Sequence, residues 1–309
     1  MKKVLVAGEI NVDLVLRGCP IFPAPGKEVV VDDLGMVLGS ASAICAMGLA
    51  RLGTPVAFAG KVGDDAWGSF CTETMGRAGV DIARIVAEPG LKTGVTVAIS
   101  GPSDRALVTF LGSSAELGAD DIGDDAFEGA AHLHVSSYYL QQKLRPGCRG
   151  LFERAHRAGL TTSLDPGYDP SEHWADDLLA TLGEVDLFFP NEVELRCIAR
   201  RDDVVEALHV MENVHAKTVA KLGAEGAITL HRGEVMRVPA FPVQPVDTTG
   251  AGDSFNAGFL HAWLAGDCLV DSMRFGAACA SLSTLGIGGT AAQATRDEAL
   301  AVLRRRETD

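Results

Sequence analysis

Positive charge is scarce in this chain: 27 Lys and Arg stand against 41 Asp and Glu, a net charge of −14 over 309 residues. That deficit argues against a nucleic-acid surface or an anionic membrane as the main partner. A nucleotide ligand remains compatible, because main-chain N–H groups and a metal ion bind phosphate whatever the global charge. Patterned cysteine is lacking as well. The seven cysteines are odd in number and widely spaced, with no C-x-x-C, so they read as buried small residues in a reducing compartment. No segment approaches the length of a membrane span. The N-terminal apolar run Val4 to Gly8 is too short for a signal peptide and is interrupted by Glu9, Asn11 and Asp13, which places the protein in the cytoplasm.

The better-known phosphate and hydrolase motifs are missing too. There is no G-x-x-x-x-G-K-[ST] and no protein-kinase set, which excludes a Walker-type enzyme and a protein kinase. Without a G-x-G-x-x-G after the first strand, a Rossmann dehydrogenase is disfavoured. Neither H-E-x-x-H nor G-x-S-x-G occurs. His132 and His134 would share one strand face, but with no third ligand nearby in sequence they read as structural.

What is present suits a soluble α/β protein with a sizeable core, at 47% hydrophobic and 22% charged residues. Residues 3–8 form a continuous apolar run ending in Gly, the pattern of a buried parallel strand. Residues 40–52 read as a helix, followed by a strand at 56–59. Strands are expected at 132–136, 161–165, 185–189, 217–222 and 226–231, and helices at 147–158, 192–199, 203–214, 253–265 and 269–284. This alternation implies parallel strands with crossover helices. Two excursions break it. Residues 14–38 look like short strands outside the main sheet, and 92–112 holds two strands, 93–99 and 106–111, across a turn at 101–104. Together they suggest a small β-sheet lid on a core made of residues 1–13, 39–91 and 113–309.

Four constellations carry potential chemistry. In the run Asp247-Thr248-Thr249-Gly250-Ala251-Gly252-Asp253, glycines let N–H groups of Gly250, Ala251, Gly252 and Asp253 crowd around an anion, and the following helix adds its positive dipole end. Asp253 is then placed to take the proton from an attacking hydroxyl, with the dipole favouring its ionised form. The plain alternative is a strand-to-helix connection capped by Asp253. The second is Asn191-Glu192-Val193-Glu194 after an apolar strand, whose oxygens suit indirect magnesium binding or simple helix capping. The third is Lys221 to Gly226, with Gly223 and Gly226, which lines a nucleotide or merely closes a hairpin. The fourth joins Asn11, Asp13, Gly39, Ser40 and Ser42, acceptors suited to a polyhydroxylated ligand, with capping as the alternative for Ser40.

Taken together and in order, these residues resemble the ribokinase (PfkB) carbohydrate kinase family. Gly8 to Asp13 is similar to its first strand and sugar contacts, Gly39 to Gly53 to its first signature, Asn191 to Glu194 to its N-x-x-E motif, and Asp247 to Phe255 to its D-T-x-G-A-G-D signature. The resemblance implies a Rossmann-like core with a β lid, dimerisation through the lid, and ATP-dependent transfer to a sugar hydroxyl. It further implies Asp253 as base, nucleotide contacts at Asn191 and the Lys221–Gly226 loop, magnesium near Glu194, and a monovalent cation such as K+ at Asp247 and Thr249. The sequence departs from the family pattern at Ile44, where a sugar-binding Asn is usual, at Lys221, where Thr is frequent, and at Ala277. These departures make ribose a less favoured substrate and a small carbohydrate or sugar acid the expectation. A nucleoside kinase of the same fold and a non-catalytic sugar-binding protein are the alternatives. Aromatics in the lid would favour a purine, and the two excursions offer only Phe22 and Phe110.

Overall fold

The computed structural model describes residues 2–101, 105–174 and 177–306. The turn expected at 101–104 therefore lies largely outside the described residues. The chain opens with β1 (Lys3–Ala7), β2 (Asn11–Arg17), β3 (Asp33–Gly39), α1 (Ala41–Arg51) and β4 (Val56–Gly63). Next come α2 (Ala66–Arg77), β5 (Asp81–Glu88), β6 (Gly94–Ser100), β7 (Arg105–Phe110), β8 (Ala130–Val135) and α3 (Cys148–Arg157). β9 (Thr161–Leu164), α4 (Asp177–Thr181), β10 (Leu187–Phe188), α5 (Glu192–Ala199), α6 (Val204–Met211) and β11 (Lys217–Lys221) follow. The chain closes with β12 (Ala227–His231), β13 (Glu234–Val238), α7 (Ala251–Ala265), α8 (Leu269–Ser283) and α9 (Arg296–Arg306).

Nine strands form the central sheet in the order β13-β12-β11-β10-β9-β8-β1-β4-β5. It is parallel from β5 to β11, and β12 and β13 add antiparallel at one edge. The expected strand at 226–231 is thus a hairpin partner of β11, the hairpin that the Lys221–Gly226 turn left open as an alternative. Apolar residues cover both faces: Val4 and Val6 of β1 point into one core with α7 and α8, and Leu5 and Ala7 into the other with α3. Such two-sided burial explains the continuous apolar run of β1. β1 lies between β4 and β8, so the strand order reverses there. Open α/β sheets bind ligands at that reversal, outside the carboxyl ends of the strands.

The second sheet, β3-β2-β6-β7, has four strands. Its register puts Val12, Leu14, Leu16 and Met36 on one face with Val97, Val108 and Phe110, and Asn11, Asp13 and Thr96 on the other. Phe110 stands on the opposite face, so it does not address the question of a purine acceptor.

The expected elements recur within a few residues. The exceptions are α2, β5, α4, β13 and α9, which have no counterpart in the sequence reading. α2 carries two glycines in twelve residues, and β5 is mostly exposed or half-buried along its length. Neither offers strong periodicity. α2 is held by tertiary contact and by its cap, in which Asp65 accepts from the Gly68 N–H at 2.8 Å.

Candidate active site

Glu9, just past β1 at the reversal point, is 5% exposed. Ser42 donates its hydroxyl to Glu9 Oε2 at 2.6 Å and its N–H to Oε1 at 3.2 Å. Ser40 donates its hydroxyl to the Glu9 carbonyl at 2.6 Å and accepts from the Ala43 N–H at 3.1 Å, capping α1. Both serines are thus engaged inside the protein, and Ser42 is fully buried. Asn11 and Asp13 are buried on the same face of β2. Asn11 Nδ2 donates to Thr96 Oγ1 at 2.8 Å and to Asp13 Oδ1 at 3.3 Å, and its Oδ1 has no partner among the described residues. Gly39 is required by this packing: a Cβ there would meet Asp13 Oδ1 at 2.1 Å and Asn11 Oδ1 at 2.6 Å.

The glycine turn leads into α7 as the sequence suggested. Gly250 adopts φ +71, a left-handed conformation open to glycine, and a Cβ on it would lie 2.6 Å from Gly289 Cα. Ile44, the apolar departure, is buried beneath this turn and packs against Gly250 and Gly289. The N–H of Ala251 is taken by the Thr248 carbonyl at 3.3 Å, so Ala251 does not join the expected ring of donors. The N–H groups of Gly252 and Asp253 stand in the first turn, where a helix offers no internal acceptor. No partner for them is seen among the described residues.

Asp253 differs from expectation in its proton affinity. Enclosure in the cleft, followed by the negative charge of Asp165 and then Glu9 and Glu194, outweighs Lys221 and raises its pKa to about 7. The helix dipole does not keep it ionised as a free carboxylate would be, because dehydration and three neighbouring carboxyl groups outweigh the dipole and Lys221. Part of the residue remains open to the cleft.

That cleft has a volume of about 750 Å³ and brings Asp253 and Gly252 together with Asn191, Glu194, Lys221 and Gly223. Ala224, Gly226 and Ala277 also line it, so the Lys221–Gly226 segment both closes the β11–β12 hairpin and walls the site. Asn191 and Glu194 form a reciprocal cap on α5. Glu194 accepts from the Asn191 N–H at 2.8 Å and from its Nδ2 at 2.7 Å, and the Glu194 N–H donates back to Asn191 Oδ1 at 2.9 Å. Burial and the nearby Asp165 raise the Glu194 pKa to about 7. On the far side of the turn, Asp247 Oδ1 accepts from the Thr249 N–H at 2.9 Å and hydroxyl at 2.7 Å, and Oδ2 accepts from the Gly288 N–H at 2.8 Å.

Sequence similarity agrees with this geometry. Residues 1–296 match the pfkB family carbohydrate kinase pattern. The chain belongs to this family. It is 29% identical to the ribokinase of Haemophilus influenzae over 98% of this chain and 99% of that one. By fold it resembles a putative ribokinase II of E. coli in complex with ATP and Mg2+ (TM-score 0.86, 22% identity, 99% and 100% of the chains covered). It also resembles a fructokinase double mutant of Vibrio cholerae with fructose, ADP and potassium ion bound (TM-score 0.80, 25% identity, 98% of each chain covered). As a pfkB carbohydrate kinase, the protein is a phosphotransferase with an alcohol group as acceptor.

The start of α7 thus presents two N–H groups without partners among the described residues and a carboxyl beside them. ATP fits the cleft on two counts, the unpartnered N–H groups at Gly252 and Asp253 and the ammonium of Lys221 beside them. Magnesium fits Glu194 through water, since both its oxygens already accept from Asn191 and no cluster of three or more ligating side chains occurs among the described residues. Sequence reasoning missed Asp165, which lines the cleft and accepts from Lys221, and Asn256, which donates to Asp165 from α7. Asp165 sits immediately past β9, at the carboxyl end of a parallel strand, where open α/β sheets bind ligands, and that position is the signal that could have found it. His132 and His134 are structural in form, bridged through Ser163 Oγ at 2.7 Å on each side and fully buried. No described helix is long and apolar enough to cross a membrane.

Proposed function

We propose that the protein transfers the γ-phosphate of ATP to a hydroxyl of a small carbohydrate or sugar acid, with Asp253 as general base. The observation that supports this reading is the meeting, at the start of α7, of a carboxyl with pKa about 7 and two N–H groups without partners. ATP with Mg2+ supplies the phosphoryl group and divalent charge to offset its oxygens. The acceptor oxygen bonds to the γ-phosphorus as the β–γ bridging P–O bond breaks, and the hydroxyl proton passes to Asp253. The N–H groups of Gly252 and Asp253, with Lys221, meet the charge on the equatorial oxygens.

In this reading Glu194 holds magnesium through water, and Asn191 and the Gly223–Gly226 turn border the nucleotide. Asn11 Oδ1, buried without a partner, accepts from a sugar hydroxyl beside Asp13 and Gly39, while Ser40 and Ser42 shape that site through Glu9. Asp247 and Thr249 border a monovalent cation, K+ by preference. Residues 14–38 and 92–112 act as a lid that keeps water from competing as acceptor. The outer lid face is apolar and open, with Leu34 60%, Val108 63% and Phe110 54% exposed, which suits pairing of two copies in a cytoplasmic homodimer.

Measuring ATP consumption across neutral sugars, sugar acids and nucleosides tests the proposal. Turnover with a sugar or sugar acid and none with nucleosides is expected. Turnover with a nucleoside alone would reassign the acceptor. Sugar binding in a thermal-shift screen without any ATP consumption would sink the catalytic reading.

A further inference from the structure

Lys221 is charged, its side chain is only 12% exposed, and it stands in the cleft facing the glycine turn. A Cβ built on Gly252 would lie 3.5 Å from its Nζ, so the ammonium stands beside Gly252, one of the two residues whose N–H groups lack a partner among the described residues. Its position is set from behind. Asp165, with its side chain 6% exposed, accepts from Lys221 Nζ at 2.5 Å. The same oxygen accepts from Asn256 Nδ2 at 2.6 Å, and the other accepts from the Gly167 N–H at 3.1 Å. Asn256 lies on α7 three residues after Asp253, nearly one helical turn on. Asp165 thus joins three elements: the end of β9 on which it sits, the end of β11 through Lys221, and α7 through Asn256.

Resting on the kinase reading above, we infer that Asp165 is a positioning residue for phosphoryl transfer: by holding Lys221 and Asn256 together it locks the ammonium, the Gly252 donors and the Asp253 carboxyl into one unit. The physical reason is that a lysine has four rotatable bonds and a strongly hydrated head. Left alone in the cleft, it would retract towards water or fold onto Asp253 or Glu194, both of which carry charge within its field. Held by Asp165, it presents its remaining N–H donors to the cleft. The pair also explains why a lysine is tolerated at this depth, since a buried ammonium without a counter-ion is costly. Lys221 and Asp165 must therefore act together: removing the lysine leaves a buried carboxylate facing the phosphates.

A double-mutant cycle reads this coupling. Asp165→Asn keeps the size of the side chain and its contact with Asn256, and it is expected to lower kcat roughly 10²-fold, the scale of losing an oriented charge at a transition state. KM for ATP should change less than about threefold, since Lys221 and the N–H groups are retained and only the orientation of the ammonium towards the developing charge is lost. Lys221→Met should lower kcat by a similar or larger factor. The double variant Asp165→Asn, Lys221→Met should be no worse than Lys221→Met alone, because both charges have gone together. Asp165→Glu serves as the conservative variant and should recover more than tenfold over Asp165→Asn. Thermal unfolding with and without ADP checks that each variant is folded.

Effects on kcat that multiply independently, or an Asp165→Asn enzyme within threefold of wild type, would overturn the inference. Asp253→Asn is run in parallel. If that variant loses turnover while Asp165→Asn does not, only the positioning role fails. If Asp253→Asn retains turnover, the kinase assignment of the turn fails with it.

Discussion

Replacing Asp253 by Asn separates activity from stability, and the structure sets the size of both effects. The carboxyl pKa is carried from 3.8 to about 7. At about 1.4 kcal/mol per pH unit, roughly 4 kcal/mol of stability would depend on this group if it were wholly enclosed. Part of the residue is open to solvent in the cleft, and screening there reduces the figure to about 2 kcal/mol. The sign follows from linkage. A folded pKa raised above the unfolded value means the contribution is fully present below about 3.8 and is lost as the pH rises to about 7. Wild type therefore folds with a strained carboxylate at pH 8, whereas the neutral amide carries no such loss. Calorimetric melts should show Asp253→Asn gaining on wild type by roughly 4–8 °C between pH 4 and pH 8, at about 2–4 °C per kcal/mol. Turnover, followed by ADP release with the sugar found in the acceptor screen, should fall by about two orders of magnitude or more, as for loss of a general base. A melting advantage that does not grow with pH, or turnover within threefold of wild type, would refute the reasoning.

Three further outcomes follow from the same geometry. The value of kcat/KM for ATP, which reports the free enzyme, should climb about tenfold per pH unit up to about 7 and then level, as Asp253 ionises; a profile flat from pH 5 to 8 contradicts this. Gly250→Ala forces a Cβ to within 2.6 Å of Gly289 Cα at φ +71, and denaturant unfolding should show a loss of about 2–4 kcal/mol, from left-handed strain plus overpacking. Adding potassium chloride to a potassium-free assay should raise wild-type turnover, and Asp247→Asn should flatten that response.

The fold was largely legible because its strands and helices carry strong local signals. β1 is apolar on both faces, α7 begins at a glycine turn and ends at Gly266 with φ +107, and α5 announces itself by the Asn191–Glu194 cap. α2 and β5 were missed because their residues show little periodicity and are stabilised by neighbours distant in sequence. The antiparallel β11–β12 hairpin was signalled by Gly223 and Gly226, whereas β13 at the sheet edge had no counterpart in the sequence reading.

In the site, the divide falls along the same line. The glycine turn, its following helix and the acid within it are contiguous, so sequence alone determined them, and with them the family. Only tertiary structure decided what surrounds that acid. Asp165 reaches Lys221 across 56 residues and Asn256 across 91. Ala251 lost its place among the free donors to the carbonyl of Thr248, and Ser42 turned inward to Glu9. Asp253 became a weak acid for the same reason: desolvation and Coulomb interaction depend on distance through space, and the chain order of the charges does not specify it.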